Sequence, residues 1–196
     1  MKIIEKIKDL EREYADDKTV RKNGTVLLGP GKVPRCRHML FRGLEDEYIE
    51  EYLVSEYKNP FPEQYKEFLR IYNGAILFWG RLKTSTGISL ACSMITVLGL
   101  PRTQPFGRPD DMEEPFDVRI EDLGRHKSLT KYLKFGTYWR KDSDKRNFDL
   151  LVNTENGRVI SCVKRDCVVC EEWNSIDECL CSLFDRCVDL PTEYEI

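Results

Sequence analysis

The stretch Asn59-Pro-Phe-Pro-Glu-Gln-Tyr-Lys-Glu-Phe-Leu-Arg-Ile-Tyr-Asn-Gly74 decides the fold, because it carries the start, the buried face and the stop of one structural unit. Pro62 suits the first turn of a helix: its missing amide donor has no intrahelical acceptor there, and its φ is already near the helical value. Tyr65, Phe68, Leu69 and Tyr72 fall at i, i+3, i+4 and i+7, a single apolar stripe. Gln64, Lys66, Glu67 and Arg70 occupy the other face. Asn73-Gly74 is expected to end the helix, since both residues tolerate the left-handed conformation. The apolar run Ala75-Ile-Leu-Phe-Trp-Gly80 follows at once and reads as a buried strand.

On the N-terminal side, Ile3, Ile7, Leu10 and Tyr14 recur at helical spacing with charges between them, which predicts an amphipathic helix over 2–15. Asn23-Gly24, Gly29-Pro-Gly31 and Pro34 then punctuate 16–43, where loops are expected with at most a short strand at Thr25–Leu28. Leu44, Tyr48, Ile49, Tyr52 and Leu53 predict a second helix over 44–56, which Asn59-Pro60 separates from the deciding stretch.

On the C-terminal side, Ala75–Leu82 and Ile88–Val97 read as strands, and Leu100–Glu114 as a long surface loop rich in proline and acid. Residues 116–131 give only a short strand and a poorly formed helix. Leu133–Trp139 reads as a strand entering the polar turn Arg140–Arg146. Asn147–Asn153 and Arg158–Val163 flank Thr154-Glu-Asn-Gly157, and Asn-Gly is the strongest short hairpin cue. Cys167–Trp173 reads as a further strand. Ser175-Ile-Asp-Glu178 has the pattern of a capping box, and Ile176, Cys179, Leu180, Leu183 and Phe184 supply the stripe of a last helix. Asp189–Ile196 reads as an acidic tail.

At 196 residues the chain fits one domain with appended segments. Such a domain buries roughly 70% of its unfolded surface, enough for a core without metal or disulfide. A net charge of −3 and a pI near 5.6 argue against a nucleic-acid partner, which calls for a basic face. Met1–Leu10 breaks its apolar residues with charges, unlike a secretory leader. Ile88–Leu100 is too short and interrupted to span a bilayer. The expectation is a cytoplasmic protein without membrane contact, whose eight cysteines are reduced.

The order Phe61-Pro62, Tyr65-Lys66, Phe68-Leu69, Tyr72-Asn73-Gly74 resembles the signature of the SUKH superfamily, the Smi/Knr-like proteins. Gly157-Arg-Val159, Trp173-Asn-Ser175-Ile176 and Leu180–Phe184 extend the resemblance, which runs from about Gly43 to Cys187. The Arg140–Arg146 turn departs from it by lacking the glycine that many relatives have there. Pro62, Tyr65, Phe68, Leu69, Asn73, Gly74 and Trp173 are then structural-motif positions. The resulting division is an N-terminal elaboration (1–42), a SUKH-like domain (43–190) and a short acidic tail (191–196). The expected fold is α+β: N-terminal helices, a mostly antiparallel sheet of about five or six strands, and a C-terminal helix packed against it.

Candidate chemistry divides three ways. Cys162, Cys167 and Cys170 have the C-x4-C-x2-C spacing of an iron–sulfur loop, with Cys179, Cys181 or Cys187 as a possible fourth thiolate. Val168-Val169 does not suit a curled cluster loop, and reduced cysteine also packs as a small apolar side chain, so no metal or cofactor is expected. His38, in a basic stretch with Arg35 and Arg37, is expected to be solvated. Neither it nor His126 sits in a catalytic motif, and no nucleophile elbow, P-loop or dinucleotide fingerprint occurs, so no catalytic residue is nominated. Trp79 and Trp173 read as core. Tyr138 and Trp139, beside the charged turn with Asp142 and Asp144, read as candidate interface anchors. Asp110, Asp111, Glu113, Glu114 and Asp117 form the acidic feature best suited to docking a basic partner.

The resemblance implies a non-catalytic immunity protein that binds and neutralises a cognate protein toxin of nuclease or deaminase type. A nuclease carries basic residues to hold phosphates, so an acidic inhibitor gains rate and specificity from opposite charge. Alternatives are a scaffold or regulatory interaction protein, and a metal or redox protein using Cys162, Cys167 and Cys170.

Overall fold

The computed structural model describes residues 1–29, 36–56, 61–83, 89–100, 131–140, 147–163, 168–190 and 193–195. Among them lie four helices: α1 (Lys2–Glu13), α2 (Asp46–Glu56), α3 (Glu63–Ile71) and α4 (Ile176–Cys187). The strands are β1 (Lys18–Val20), β2 (Val26–Leu28), β3 (His38–Arg42), β4 (Tyr72–Lys83), β5 (Ser89–Val97), β6 (Tyr132–Trp139), β7 (Asn147–Asn153), β8 (Val159–Val163), β9 (Val169–Trp173) and β10 (Glu193–Glu195). The protein is therefore α+β. β1 to β9 follow one another across a single sheet, each antiparallel to the next, and β10 joins β4 in parallel.

Register partners run unbroken across the nine strands. Thr19, Leu27, Met39, Ile76, Thr96, Thr137, Asp149, Cys162 and Val169 form one row. Val20, Val26, Leu40, Ala75, Val97, Gly136, Leu150, Ser161 and Glu171 form the adjacent row. From β1 to β8 the two row members of each strand are neighbours in sequence and point to opposite faces, so the rows face opposite ways there; in β9 a register shift sets Val169 and Glu171 two residues apart. The face carrying Leu40, Ala75, Val97 and Leu150 joins Ile3, Ile7 and Leu10 of α1, Tyr65, Phe68 and Leu69 of α3 and Leu180, Leu183 and Phe184 of α4 in the main core. The opposite face holds two smaller apolar clusters, one of Leu27, Cys36, Met39, Phe41 and Ile76, the other of Leu151, Ile160 and Cys162.

α1 and α4 are tied end to side. Asp177 at the start of α4 accepts from the backbone amides of Lys2 (3.1 Å) and Ile3 (2.9 Å), groups with no intrahelical acceptor. Ser175 caps α4 as expected, its Oγ accepting from the Glu178 amide at 3.1 Å. The return bond differs: the Glu178 carboxylate accepts from the Asn174 amide, one residue earlier than the capping-box pattern places it. In the β7–β8 hairpin, Asn153 Oδ1 accepts from the amides of Glu155 (2.9 Å) and Asn156 (3.3 Å), holding the turn at the position the Asn-Gly cue marked.

Four expectations are corrected. Among the described residues the sheet has ten strands rather than five or six. Two of the additional strands, β1 and β3, lie in 16–43, where loops were expected. A third, β10, lies in the 189–196 tail. Asn73-Gly74 does not cap a helix: α3 ends at Ile71, Tyr72 is already extended, and both residues lie inside β4. Pro62 precedes the first helical residue as N-cap instead of sitting within the first turn, and its carbonyl accepts from the Tyr65 and Lys66 amides. His38 is 1% exposed, not solvated.

Candidate partner-binding surface and its anchored root

Asn73 does not cap a helix because its side chain is used elsewhere. Its Nδ2 donates to the Leu100 carbonyl at 2.8 Å, and its Oδ1 accepts from the Leu100 amide at 2.7 Å. A side-chain amide here replaces a neighbouring strand, satisfying both backbone groups of one buried residue. The Tyr65 hydroxyl donates to the Leu98 carbonyl at 2.8 Å, and the Leu98 amide donates to Phe135 on β6. Two glycines make the approach possible. Gly74 has φ +91°, and a Cβ there would lie 2.9 Å from the Val97 carbonyl oxygen. A Cβ on Gly99 would lie 2.3 Å from the Asn73 carbonyl oxygen.

The motif that decided the fold thus fixes Leu98–Gly99–Leu100, the root from which the chain enters 101–130. Asn73→Ala is expected to lower stability by about 2–3 kcal/mol, since it leaves a buried donor and acceptor unpaired. Asn73→Asp, which keeps the acceptor but sets a buried carboxylate against the Leu100 carbonyl, is expected to cost at least as much. Urea unfolding measures both, and a loss below about 0.5 kcal/mol for the alanine variant would remove the anchoring role.

Of the nominated contact residues, Asp110, Asp111, Glu113, Glu114, Asp117, Asp142 and Asp144 lie outside the described residues, as do Cys167 and His126. Tyr138 and Trp139 are described and correct the expectation: they are 6% and 8% exposed and belong to the main core. Tyr138 stands opposite Phe148 on the helix-covered face, with burial and then Cys187 raising its phenol pKa. Buried residues cannot anchor a partner without unfolding. Trp173 is core, as expected, and Trp79 is half-buried against the Met39–Ile76 cluster.

The cysteines divide. Cys162 is buried beside Leu151 and Ile160, while Cys170 is exposed on β9. Burial pushes the Cys36 thiol up to about 11 and the Cys187 thiol up to about 12, and it raises Cys179 and Cys181 as well. These four are protonated at neutral pH and poor nucleophiles. Among the described residues no three His, Cys, Asp or Glu side chains converge to hold a metal ion. No described helix is long and apolar enough to cross a membrane.

A buried ion pair and a buried histidine were not anticipated from the sequence. Lys134 Nζ lies 2.9 Å from Asp149 Oδ1 on the helix-free face, with side chains 8% and 4% exposed. The contact is an ionic approach without hydrogen-bond geometry at Oδ1. Beside this pair, Thr137 stands opposite both Thr96 and Asp149 in the register. His38 is the other, with Nδ1 3.3 Å from the amide of Phe78. Phe78 is a non-glycine residue at positive φ (+54°), a strained backbone position that this bond helps to hold.

The chain matches no protein-family model, and no curated protein matches it. The fold and the anchored root define the class on their own: an α+β protein built on one large meander sheet, helices on one face, with a structural motif that ties α3 and β4 to the exit of β5.

Proposed function

We propose that this chain is a non-catalytic protein-binding module of the SUKH type, an immunity protein that binds and neutralises a basic toxin. The observation that carries the reading is the clamp of Leu98–Leu100 by Tyr65 and Asn73. It gives the motif residues a physical task, fixing the root of the segment that carries Asp110, Asp111, Glu113, Glu114 and Asp117. A rigid root reduces the conformational entropy lost when a contact segment docks. The acidic residues then act mainly on association rate, through long-range attraction to a basic partner.

The test is binding to the toxin encoded beside the chain. The expected result is a one-to-one complex whose association slows as salt rises. Replacing Asp110, Asp111, Glu113 and Glu114 together by Asn or Gln is expected to slow association and flatten that salt dependence, with dissociation changed less. Salt-independent association would remove the electrostatic part. Failure to bind the neighbouring toxin would remove the function, leaving the scaffold or regulatory reading.

A further inference from the structure

β4 is longer than the partner on one of its sides. β5 pairs with it from Ala75 to Lys83, filling one edge. On the other edge β3 pairs only with Tyr72, Ala75 and Ile76. Trp79 is still bonded to Arg37 on this side, so the edge opens to another strand only beyond it, and β10 pairs there with Arg81, Leu82 and Lys83. This is the one parallel pairing among the described strands, and it spans three register pairs.

The register is chemically selective. Glu193 stands opposite Arg81, Tyr194 opposite Leu82 and Glu195 opposite Lys83. An acidic–aromatic–acidic sequence is therefore in register with a basic–apolar–basic one, the order of opposite charge that favours pairing between facing positions of adjacent strands. The entrance to this edge is built independently of the strand. The Arg37 backbone carbonyl accepts from the Trp79 amide at 2.7 Å. Its guanidinium donates to the Trp79 carbonyl at 3.2 Å and to the Leu190 carbonyl at 2.6 Å, and lies over the Phe78 ring. Arg37 thus joins the start of β3, the middle of β4 and the chain arriving from α4.

We propose that the outer edge of β4 at Arg81–Lys83 is a strand-acceptor site for extended peptides of acidic–aromatic–acidic chemistry, and that residues 193–195 are its exchangeable resident. Main-chain bonds supply binding and alternate side chains supply selectivity, the general mode of strand addition to a sheet edge. A short parallel strand is a weakly held occupant. The inference does not rest on toxin binding, which is assigned to a different part of the chain.

The test uses the full chain and a fluorescent peptide of the sequence Leu-Pro-Thr-Glu-Tyr-Glu-Ile. In wild type the resident strand competes, and binding is expected to be weak. In the Glu193→Lys/Glu195→Lys chain the resident is repelled by Arg81 and Lys83, and the peptide is expected to bind about tenfold more tightly. A peptide with lysine at both glutamate positions is expected not to bind that chain. It is expected to bind the reciprocal variant, Arg81→Glu/Lys83→Glu. Circular dichroism checks that both variants keep the wild-type fold. No gain in peptide affinity for the Glu193→Lys/Glu195→Lys chain, or equal binding of the two peptides, overturns the proposal. The Arg81→Glu/Lys83→Glu chain decides independently: preference for the acidic peptide there overturns it too.

Discussion

Asp149→Leu is expected to lower stability by roughly 3–5 kcal/mol, the usual cost of removing one partner from a buried ion pair. The loss is large because Lys134 remains, 2.9 Å from the vacated carboxylate position and almost out of contact with water. Lys134→Met is expected to cost a similar amount, stranding the carboxylate in the same place. The double variant Lys134→Met/Asp149→Leu separates this account from simple packing loss. Leu151, Ile160 and Cys162 make the surroundings apolar, so a well-filled hydrophobic pair there is expected to be within about 1 kcal/mol of wild type, or more stable. Urea unfolding of all four proteins closes the cycle. If the single losses add in the double variant, the two groups act separately and the ion pair is not what holds this face.

The pair was invisible in the sequence for a definite reason. Leu133–Trp139 and Asn147–Asn153 were legible as strands, but nothing within either stretch marks Lys134 or Asp149 as buried. Their burial depends on the whole sheet, not on either strand. The same distinction separates most successes from most failures. α1, α3 and α4 were legible because an apolar stripe at helical spacing is local, and the β7–β8 hairpin because Asn153 and Asn156 bond within their own turn. β1, β3 and β10 were missed because three to five residues carry little period, and their pairing is with distant segments.

The candidate site divides the same way. Asn73-Gly74 was identified correctly as a special pair, but a local rule assigned it to a helix end. The tertiary bonds to Leu100 won, since they satisfy two buried backbone groups at once. Tyr138-Trp139 failed in the opposite direction: a neighbouring charged turn suggested exposure, yet Tyr138 stands on the helix-covered face opposite Phe148. β10 was read as a tail because its acidic residues suggest a solvated end, whereas the register sets Glu193 opposite Arg81 and Glu195 opposite Lys83.

His38 gives the second large effect, and it is a dependence on pH. Burial, and next the charge of Arg37, lower its pKa from 6.5 to about 3. Tyr14 and Phe78 wall the ring, with centroids 5.6 and 4.9 Å away, and Nδ1 faces the Phe78 amide as an acceptor. Protonation would turn that acceptor into a donor facing a donor, beside a guanidinium. The unfolded chain binds the proton near pH 6.5 and the folded chain only near 3, so between these values the unfolded state holds more protons. Stability must then rise with pH across that window and is lost as pH falls through it. The full loss is roughly 4–5 kcal/mol, or about 1.4 kcal/mol per pH unit in the middle of the window. His38→Asn keeps a hydrogen-bond acceptor and cannot titrate. Against that variant, wild type is expected to lose stability at this slope between about pH 6 and 4, with carboxylate titrations common to both cancelling in the difference. Urea midpoints at four pH values measure it. If the two stability curves run parallel from pH 7 to 4, His38 protonates freely in the folded chain, and the buried hydrogen bond to Phe78 is not what holds that strained residue.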